Sequence, residues 1–146
     1  MTSNLDEYAP SPTPWVREHV GKVDEAGTTD VVGINGLKVV VVTMRGAKSG
    51  KLRKVPLMRV EYDGAYAAVG SNSGGPTNPV WHNNLKADPK VTVQDGSVTK
   101  EYIAHEAEGD EYDEWWKRAV EAFPTYAEYQ TKTTRKIPLF VLEPVK

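Results

Sequence analysis

Turn dipeptides at short intervals are the feature that most constrains the fold of this 146-residue chain. Asn35-Gly36, Asp63-Gly64 and Asp95-Gly96 each separate two runs of strand-forming residues. The Asn-Gly pair accepts the positive φ angles of a two-residue hairpin turn, and Asp-Gly does the same. Hairpins are therefore predicted over residues 31–44, 58–71 and 90–107, with a last strand over 137–142. Strands and helices do not alternate in the βαβ manner, so the prediction is a mainly β chain with inserted helices (α+β), a closed or half-closed antiparallel barrel.

Helices are predicted beside these strands. The first begins at Pro14, a residue suited to a first helical turn, and ends at Gly27. A short helix is predicted over Val80–Ala87, with Asn78 as its cap. A longer one begins near Asp110 and packs through an apolar face. A single domain is predicted over residues 13–146, preceded by a loose arm at 1–12 that is rich in proline and serine.

One segment concentrates positive charge in a chain whose formal net charge is −2. Residues 43–60, TMRGAKSGKLRKVPLMRV, hold six Lys and Arg residues and no carboxylate that could neutralise them locally. Gly46 lies among them, where a turn can aim backbone N–H groups outward, and Gly50 is predicted to have a positive φ or to lie against a ligand. This arrangement suits a phosphate or another compact anion, although a solvated hairpin tip would carry the same charges. Pro56 marks an edge or a bulge in the following strand.

Composition excludes several other chemistries. The chain has no cysteine, which excludes disulfides, thiolate catalysis, iron–sulfur clusters and Cys-based zinc sites. His19, His82 and His105 are far apart in the sequence, so no metal site is predicted. The slightly negative net charge argues against a general nucleic-acid partner. The start of the chain lacks the cationic and apolar regions of a signal peptide, and no apolar run is long enough to span a bilayer, so a cytoplasmic location is expected.

Three segments together resemble the deazaflavin-dependent nitroreductase family. They are TMRGAKSGKLRKVPL, SNSGGPTNPVWHNNLKADPKV and FPTYAEYQTKTTRKIP, which begin at Thr43, Ser71 and Phe123. The resemblance covers residues 39–144. This chain departs from the more frequent residues of that family at Met44, Ala47, His82 and Phe123.

The resemblance implies a split antiparallel β-barrel, similar to FMN-binding proteins, that binds coenzyme F420. This cofactor is a deazaflavin with a phosphate and an oligoglutamate tail, so it would use a cationic cradle. The implied reaction transfers a hydride from the reduced deazaflavin to a flat, electron-poor acceptor such as a quinone, a nitro compound or an enone, while the protein supplies binding and orientation.

The resemblance also implies where the cofactor lies. The phosphate would be held by Ala47, Lys48, Ser49, Gly50, Arg53 and Lys54. The ring or ribityl chain would be lined by Val55, Pro56, Leu57 and Met58. The opposite wall would comprise Val69, Gly70, Ser71, Asn72, Val80, Trp81, His82, Asn83 and Asn84. Trp81 could equally be a core residue.

Tyr126 and Ser71 are the expected catalytic residues, with Phe123 and Tyr129 in the acceptor pocket. Negative charge develops on the acceptor oxygen during hydride transfer and needs a hydrogen-bond donor. With no cysteine and no well-placed histidine, a phenol is the candidate donor, and the resemblance places Tyr126 over the cofactor ring. The alternative is that both tyrosines form a packing lid over the barrel.

Other functions remain open from the residues. The first is an FMN-binding relative of the same barrel, and the second is a non-catalytic binder of a phosphorylated ligand or cofactor. A single-stranded nucleic-acid binder is disfavoured because aromatic residues do not interleave with the cations. A small-molecule electron acceptor is the expected partner, a homodimer is an open alternative, and no stable membrane anchor is predicted. Peripheral membrane contact is left open because a quinone can be lipid-soluble.

Overall fold

The computed structural model describes residues 13–33 and 36–145, so the predicted arm at 1–12 and Asn35 of the first predicted turn lie outside the described residues. Within those two ranges no helix combines the length and the apolar character needed to cross a bilayer. The helices are α1 (Pro14–Ala26), α2 (Val80–Ala87), α3 (Gly109–Ala122) and α4 (Thr125–Thr131). The strands are β1 (Val39–Arg45), β2 (Leu52–Met58), β3 (Glu61–Tyr62), β4 (Ala65–Val69), β5 (Lys90–Asp95), β6 (Val98–Glu106) and β7 (Leu139–Pro144).

The seven strands form one antiparallel sheet in the order β2-β1-β5-β6-β7-β4-β3. The register of β1 and β2 pairs Val39 with Met58 and Arg45 with Leu52. Strand β2 stands first in this order and is therefore an edge strand. An edge was one of the two positions predicted from Pro56, since a proline cannot donate to a ladder. The sheet curls into a half-barrel, which confirms the predicted antiparallel architecture.

Two apolar clusters cover the two faces of this sheet. Neighbouring residues of a strand point to opposite faces, so Val40 and Val42 enter one cluster while Val39 enters the other. The first, called here the barrel cluster, combines strand residues with two residues of α2: Val40, Val42, Met44, Tyr66, Ala68, Trp81, Leu85, Val91, Val93, Tyr102, Ala104, Phe140 and Leu142. The second, the helix cluster, packs α3 and α4 on the sheet: Val39, Met58, Val60, Ala67, Val69, Ala107, Tyr112, Trp115, Ala119, Phe123, Tyr126, Ile137, Leu139 and Val141.

The prediction of a first hairpin was wrong at residues 31–33 of its leading strand, and Ile34, the last residue of that strand, lies outside the described residues. Residues 29–31 form a 3-10 turn instead, in which the Thr28 hydroxyl accepts from the Asp30 N–H at 3.2 Å. Thr29 exchanges two hydrogen bonds with Gly96 in the β5–β6 turn, N–H to C=O at 3.0 Å and Oγ1 from N–H at 2.7 Å. Thr29 thereby holds the 3-10 turn against the β5–β6 turn, and the described residues that follow it, 31–33, form no strand.

The other predicted hairpins are confirmed. Asp63 and Gly64 have φ angles of 52° and 83°, the positive values that a tight turn between β3 and β4 requires. Gly96 occupies the β5–β6 turn with a φ of 63°. The last strand begins at Leu139, two residues later than predicted, after Pro138, which has no N–H for a ladder.

A carboxylate at the β5–β6 turn binds strand β4 and the connection between β2 and β3. Asp95 Oδ2 accepts a hydrogen bond from the Tyr66 hydroxyl at 2.6 Å and from Arg59 Nε at 2.8 Å. Burial raises the pKa of Tyr66, and the hydrogen bond to Asp95 raises it further, so this hydroxyl remains a donor well above neutral pH. We expect Tyr66→Phe to lower the free energy of unfolding by about 1–2 kcal/mol, because it leaves a partly buried carboxylate one donor short.

Urea denaturation followed by fluorescence would measure this loss. Tyr62→Phe is the matched control, because Tyr62 is 54% exposed and its hydroxyl makes no hydrogen bond within the described residues. Equal unfolding midpoints for the two variants would contradict a stabilising role for the Tyr66–Asp95 bond.

Candidate functional site

The basic loop, residues 46–51, connects β1 to β2. Two backbone hydrogen bonds close it, from Gly46 N–H to Lys51 C=O at 2.7 Å and from Gly50 N–H to Gly46 C=O at 2.9 Å. Gly50 has a φ of 72°, which confirms the predicted positive angle. Arg45 Nη1 donates to the Gly50 carbonyl at 2.7 Å and fastens the loop to the strand before it. Three of the predicted phosphate-binding residues are exposed at the tip: Ala47, Lys48 and Ser49.

The loop is joined to helix α2 through Asn84. The Ala47 N–H donates to Asn84 Oδ1 at 2.9 Å, and Asn84 Nδ2 donates to Met44 Sδ at 3.7 Å. Asn84 is buried, and these two partners fix the orientation of its amide. The Ala47 N–H is therefore engaged within the protein, whereas the N–H groups of Lys48 and Ser49 donate to no acceptor in the described ranges. These two N–H groups and the Lys48 ammonium are what the tip offers to an anion.

Tertiary packing brings a carboxylate to three cations of the basic segment, which contains no acid of its own. Lys54 Nζ lies 2.7 Å from Asp24 Oδ1 of α1, and Arg59 Nε lies 2.8 Å from Asp95 Oδ2. The third pair is looser, with Arg45 Nε 4.0 Å from Asp88 Oδ2. These acids lie 30 or more residues away in the sequence and are brought in by tertiary packing, so the local sequence could not reveal them.

The predicted ring-lining stretch of β2 is divided between the two faces of the sheet. Val55 and Leu57 are half-buried against the barrel cluster, whereas Met58 belongs to the helix cluster. Pro56 is buried, and Arg53 is half-buried. A ligand along this edge strand would therefore meet its backbone and alternate side chains, not four consecutive ones.

The glycine-rich loop, residues 70–78, follows β4 and contains Ser71. Val69, Gly70 and Ser71 are buried, while Asn72 is exposed. The Gly70 N–H donates to Pro138 C=O at 2.8 Å, and a Cβ at Gly70 would come within 2.8 Å of the Pro138 ring. Gly70 thus allows a close approach between two backbone segments.

Arg135 fastens this loop, and sequence reasoning missed it. Its Nε donates to Gly75 C=O at 3.0 Å, Nη1 to Gly70 C=O at 3.1 Å and to Asn78 Oδ1 at 2.8 Å, and Nη2 to Ser71 C=O at 2.7 Å. Asn78 therefore binds Arg135 and does not cap α2 as predicted, since the N-cap position of that helix is Pro79. The available signal was an arginine inside the TTRKIP segment, but nothing local indicated its partners 57 to 65 residues away.

The rest of the predicted opposite wall of the cofactor site lies on helix α2. Val80 and Asn83 are exposed, whereas Trp81 and His82 are buried. Trp81 lies in the barrel cluster with its ring centroid 6.3 Å from that of Phe140. This placement agrees with the alternative that Trp81 is a core residue.

His82 instead lines an open cleft of about 370 Å³ with Lys86, Glu106 and Lys136. His82 Nε2 lies 3.8 Å from Glu106 Oε2. His82 is the one predicted cofactor-binding residue among those that line this cleft, so the cleft and the predicted site are largely separate.

The predicted acceptor pocket is an aromatic group on and beside α4. Phe123 and Tyr126 meet edge to face with centroids 5.0 Å apart, and Tyr129 lies 6.4 Å from Tyr126. Tyr126 is 5% exposed, and burial, with a contribution from Tyr129, raises the pKa of its phenol. The Tyr126 hydroxyl makes no hydrogen bond within the described residues. It is therefore a protonated donor that another group could use.

Helix α4, the tyrosine helix that carries Tyr126 and Tyr129, packs on the glycine-rich loop. A Cβ at Gly74 would lie 3.0 Å from the Tyr129 carbonyl oxygen, which shows how closely the two backbones approach. Tyr126 shares the helix cluster with Met58, Val69 and Phe123. The predicted catalytic tyrosine, the end of β2 and the end of β4 are therefore together in the structure, whereas Trp81 lies on the other face of the sheet.

A group of possible metal ligands lies away from these residues, at the surface. His105 Nε2 is 2.8 Å from Glu111 Oε1, and Glu143 completes a group whose ligand atoms lie within 4.8 Å of one another. The imidazole and the Glu111 carboxylate satisfy each other, so this geometry needs no ion to explain it.

Comparison with known proteins gives a consistent family. A family model described as F420H(2)-dependent quinone reductase matches residues 15–144. A Mycobacterium tuberculosis protein described as an F420H(2)-dependent quinone reductase is 31% identical over 143 residues, which cover 88% of this chain and 95% of that protein.

Solved structures extend the comparison. One described as an F420-H2 dependent reductase is 57% identical, with a TM-score of 0.69, covering 72% of this chain and 93% of its own. Another, described as a domain-swapped dimer, is 54% identical, with a TM-score of 0.73, covering 91% and 100%. The heme protein HutZ of Vibrio cholerae, 14% identical with a TM-score of 0.57 over 88% and 91% of the two chains, shares the fold alone.

Proposed function

Because the chain belongs to the F420H(2)-dependent quinone reductase family, we propose that it binds reduced coenzyme F420 and transfers a hydride to a quinone-type acceptor. The observation that carries the site assignment is the exposed basic tip, joined to α2 by the hydrogen bond between Ala47 and Asn84. The reaction is an oxidoreduction in which the protein contributes binding, orientation and hydrogen-bond donors.

The residues present fit the anionic part of such a cofactor. The N–H groups of Lys48 and Ser49 are without acceptors in the described ranges, and the Lys48 ammonium is exposed beside them. Two N–H groups and a cation at a left-handed turn are suited to a phosphate. Arg53 and the Ser49 hydroxyl would add donors, whereas Lys54 would have to share its charge with Asp24. When bound, the reduced deazaflavin supplies the hydride.

Tyr126 is the residue proposed to assist the acceptor. A quinone oxygen becomes negative as the hydride arrives, and a donor prepared for that charge stabilises the transition state. The Tyr126 phenol is neutral, nearly excluded from water and not committed to another acceptor within the described residues. Ser71 is proposed to contribute to catalysis through its position in the glycine-rich loop, where its carbonyl accepts a hydrogen bond from Arg135.

Spectroscopic titration tests this proposal. Purified protein would be titrated with F420 and, in parallel, with FMN, and oxidation of F420H2 would then be followed with a soluble naphthoquinone as the acceptor. The expected result is saturable F420 binding and quinone-dependent oxidation. Preference for FMN would support the flavin-binding alternative, and tight F420 binding without turnover on quinone, nitro and enone acceptors would support a non-catalytic binder.

The basic tip gives a first variant for this assay. We expect Lys48→Ala to weaken F420 binding by about 1–3 kcal/mol, the usual worth of a hydrogen bond to a charged group, and to flatten its dependence on ionic strength. The unfolding midpoint should not change, because Lys48 is exposed. Lys117→Ala on α3 removes an equally exposed lysine away from the loop and serves as the control. Equal F420 affinities for the two variants would remove the tip from the site.

A homodimer is the proposed assembly, supported by the relative described as a domain-swapped dimer. Light scattering after size exclusion would give the mass over a range of protein concentrations. A monomer at every concentration would contradict this assembly.

The cytoplasmic location with peripheral membrane contact is likewise a proposal. Sedimentation with phospholipid vesicles that carry a lipid-soluble quinone tests the membrane part. Protein that stays in the supernatant would argue against such contact.

A further inference from the structure

We propose that Arg135 is a positioning residue that holds the glycine-rich loop and the tyrosine helix α4 together as one wall of the site. This inference rests on the proposed function, because the wall matters for activity only if the deazaflavin and its acceptor bind there. Within the described ranges, no other residue donates side-chain hydrogen bonds to as many parts of the loop.

The guanidinium of Arg135 binds the glycine-rich loop at four points. Three of its nitrogens donate to four acceptors distributed over residues 70–78, three backbone carbonyls and the amide oxygen of Asn78. All four acceptors are neutral, and Arg135 forms no ion pair with a described carboxylate. A planar fork with several fixed donors can bind such a dispersed set, whereas the single ammonium of lysine cannot.

The backbone of Arg135 is bound to helix α4 through Gln130. Gln130, in the last turn of α4, donates from Nε2 to the Arg135 carbonyl at 2.8 Å and accepts at Oε1 from the Ile137 N–H at 3.0 Å. The side chain of Arg135 thus binds the loop while its backbone binds the helix that carries Tyr126. Arg135 therefore links the loop to α4 in addition to their direct contact at Gly74 and Tyr129.

The composition of the loop explains why it needs this link. The segment SNSGGPTN has two adjacent glycines and no large apolar side chain, so much conformational entropy is lost when it is held in one shape. Its carbonyls at Gly70, Ser71 and Gly75 are oriented by the guanidinium. Without those hydrogen bonds the loop would sample other conformations, and Ser71 and Tyr126 would hold their productive relation for less of the time.

The experiment compares Arg135→Lys and Arg135→Ala with Arg118→Lys as the control. Arg118 is also a half-buried arginine, but it stacks on the rings of Tyr62 in β3 and Trp115 in α3, away from the loop. Hydrogen exchange of the amides in residues 70–78, F420 affinity, and the separate kcat and KM for a naphthoquinone would be measured for each. Guanidinium ion at millimolar concentration would be added to Arg135→Ala, with equimolar sodium chloride as its control.

We expect the amides of residues 70–78 to exchange faster in both Arg135 variants than in Arg118→Lys. We also expect both variants to lose about five-fold in kcat, more than the accompanying change in melting temperature would explain. We expect added guanidinium to restore part of the kcat of Arg135→Ala. Unchanged exchange in the loop, or faster exchange spread evenly over the whole chain, would overturn the proposal. If the parent protein neither binds nor oxidises F420H2, the proposed function fails, while the exchange data still decide whether Arg135 positions the loop.

Discussion

Replacing Gly74 by alanine is expected to lower the free energy of unfolding by about 2–5 kcal/mol and to remove most of the turnover. Gly74 has a φ of +78°, an angle that costs a residue with a Cβ about 1–2 kcal/mol. The added Cβ would also lie 3.0 Å from the carbonyl oxygen and 3.1 Å from the Cα of Tyr129. Backbone atoms cannot rotate away as a side chain would, so forced overpacking adds about 1–3 kcal/mol.

Gly64→Ala is the matched control for this change. Gly64 has nearly the same angle, φ +83°, but nothing lies within 4 Å of the position that a Cβ would take there, so this variant bears the conformational cost alone. The difference between the two variants in urea denaturation therefore isolates the contact between the glycine-rich loop and α4. Equal stability of Gly74→Ala and Gly64→Ala would show that the loop and the helix separate easily, and would weaken the case for a shared wall.

The parts of the fold that the sequence predicted well are those decided by local backbone preferences. Asp63-Gly64 predicted a hairpin because few other dipeptides accept two positive φ angles. The β5–β6 turn consists of Gly96 and Ser97, one residue later than the predicted Asp95-Gly96, and only Gly96 in it has a positive φ. Helix α2 was predicted with its observed bounds, Val80–Ala87, although its N-cap is Pro79 and not the predicted Asn78. The prediction for residues 31–33 was wrong because residues 29–31 form a 3-10 turn, which Thr29 holds against the β5–β6 turn far away in the sequence.

The candidate site shows the same division. The order of its segments could be predicted because the basic loop, the glycine-rich loop and the tyrosine segment each have a recognisable pattern. Their connections could not, since Lys54 with Asp24 and Arg135 with Gly70 depend on tertiary packing. Successive side chains of a strand point to opposite faces of the sheet, so Val55 and Met58 lie on different faces. The sequence prediction had placed both against the same ligand.

Tyr126→Phe is expected to lower turnover about tenfold or more while leaving F420 affinity nearly unchanged, because it removes a donor used mainly in the transition state. The phenylalanine keeps the ring, which packs edge to face on Phe123 at 5.0 Å, so the pocket should keep its shape. Phe123 cannot donate a hydrogen bond, and this leaves Tyr126 with few possible substitutes.

The pH dependence of turnover gives a second readout for Tyr126. Burial raises the pKa of this phenol, so its proton is retained as the pH rises through the ordinary tyrosine value of about 10. Turnover in the parent protein should therefore show no loss from this group between pH 8 and about pH 10. Tyr129→Phe, which removes the hydroxyl of a less buried neighbour, is the control. If Tyr126→Phe retains full turnover with quinone, nitro and enone acceptors, Tyr126 is a wall of the pocket and the proton comes from another donor, such as solvent.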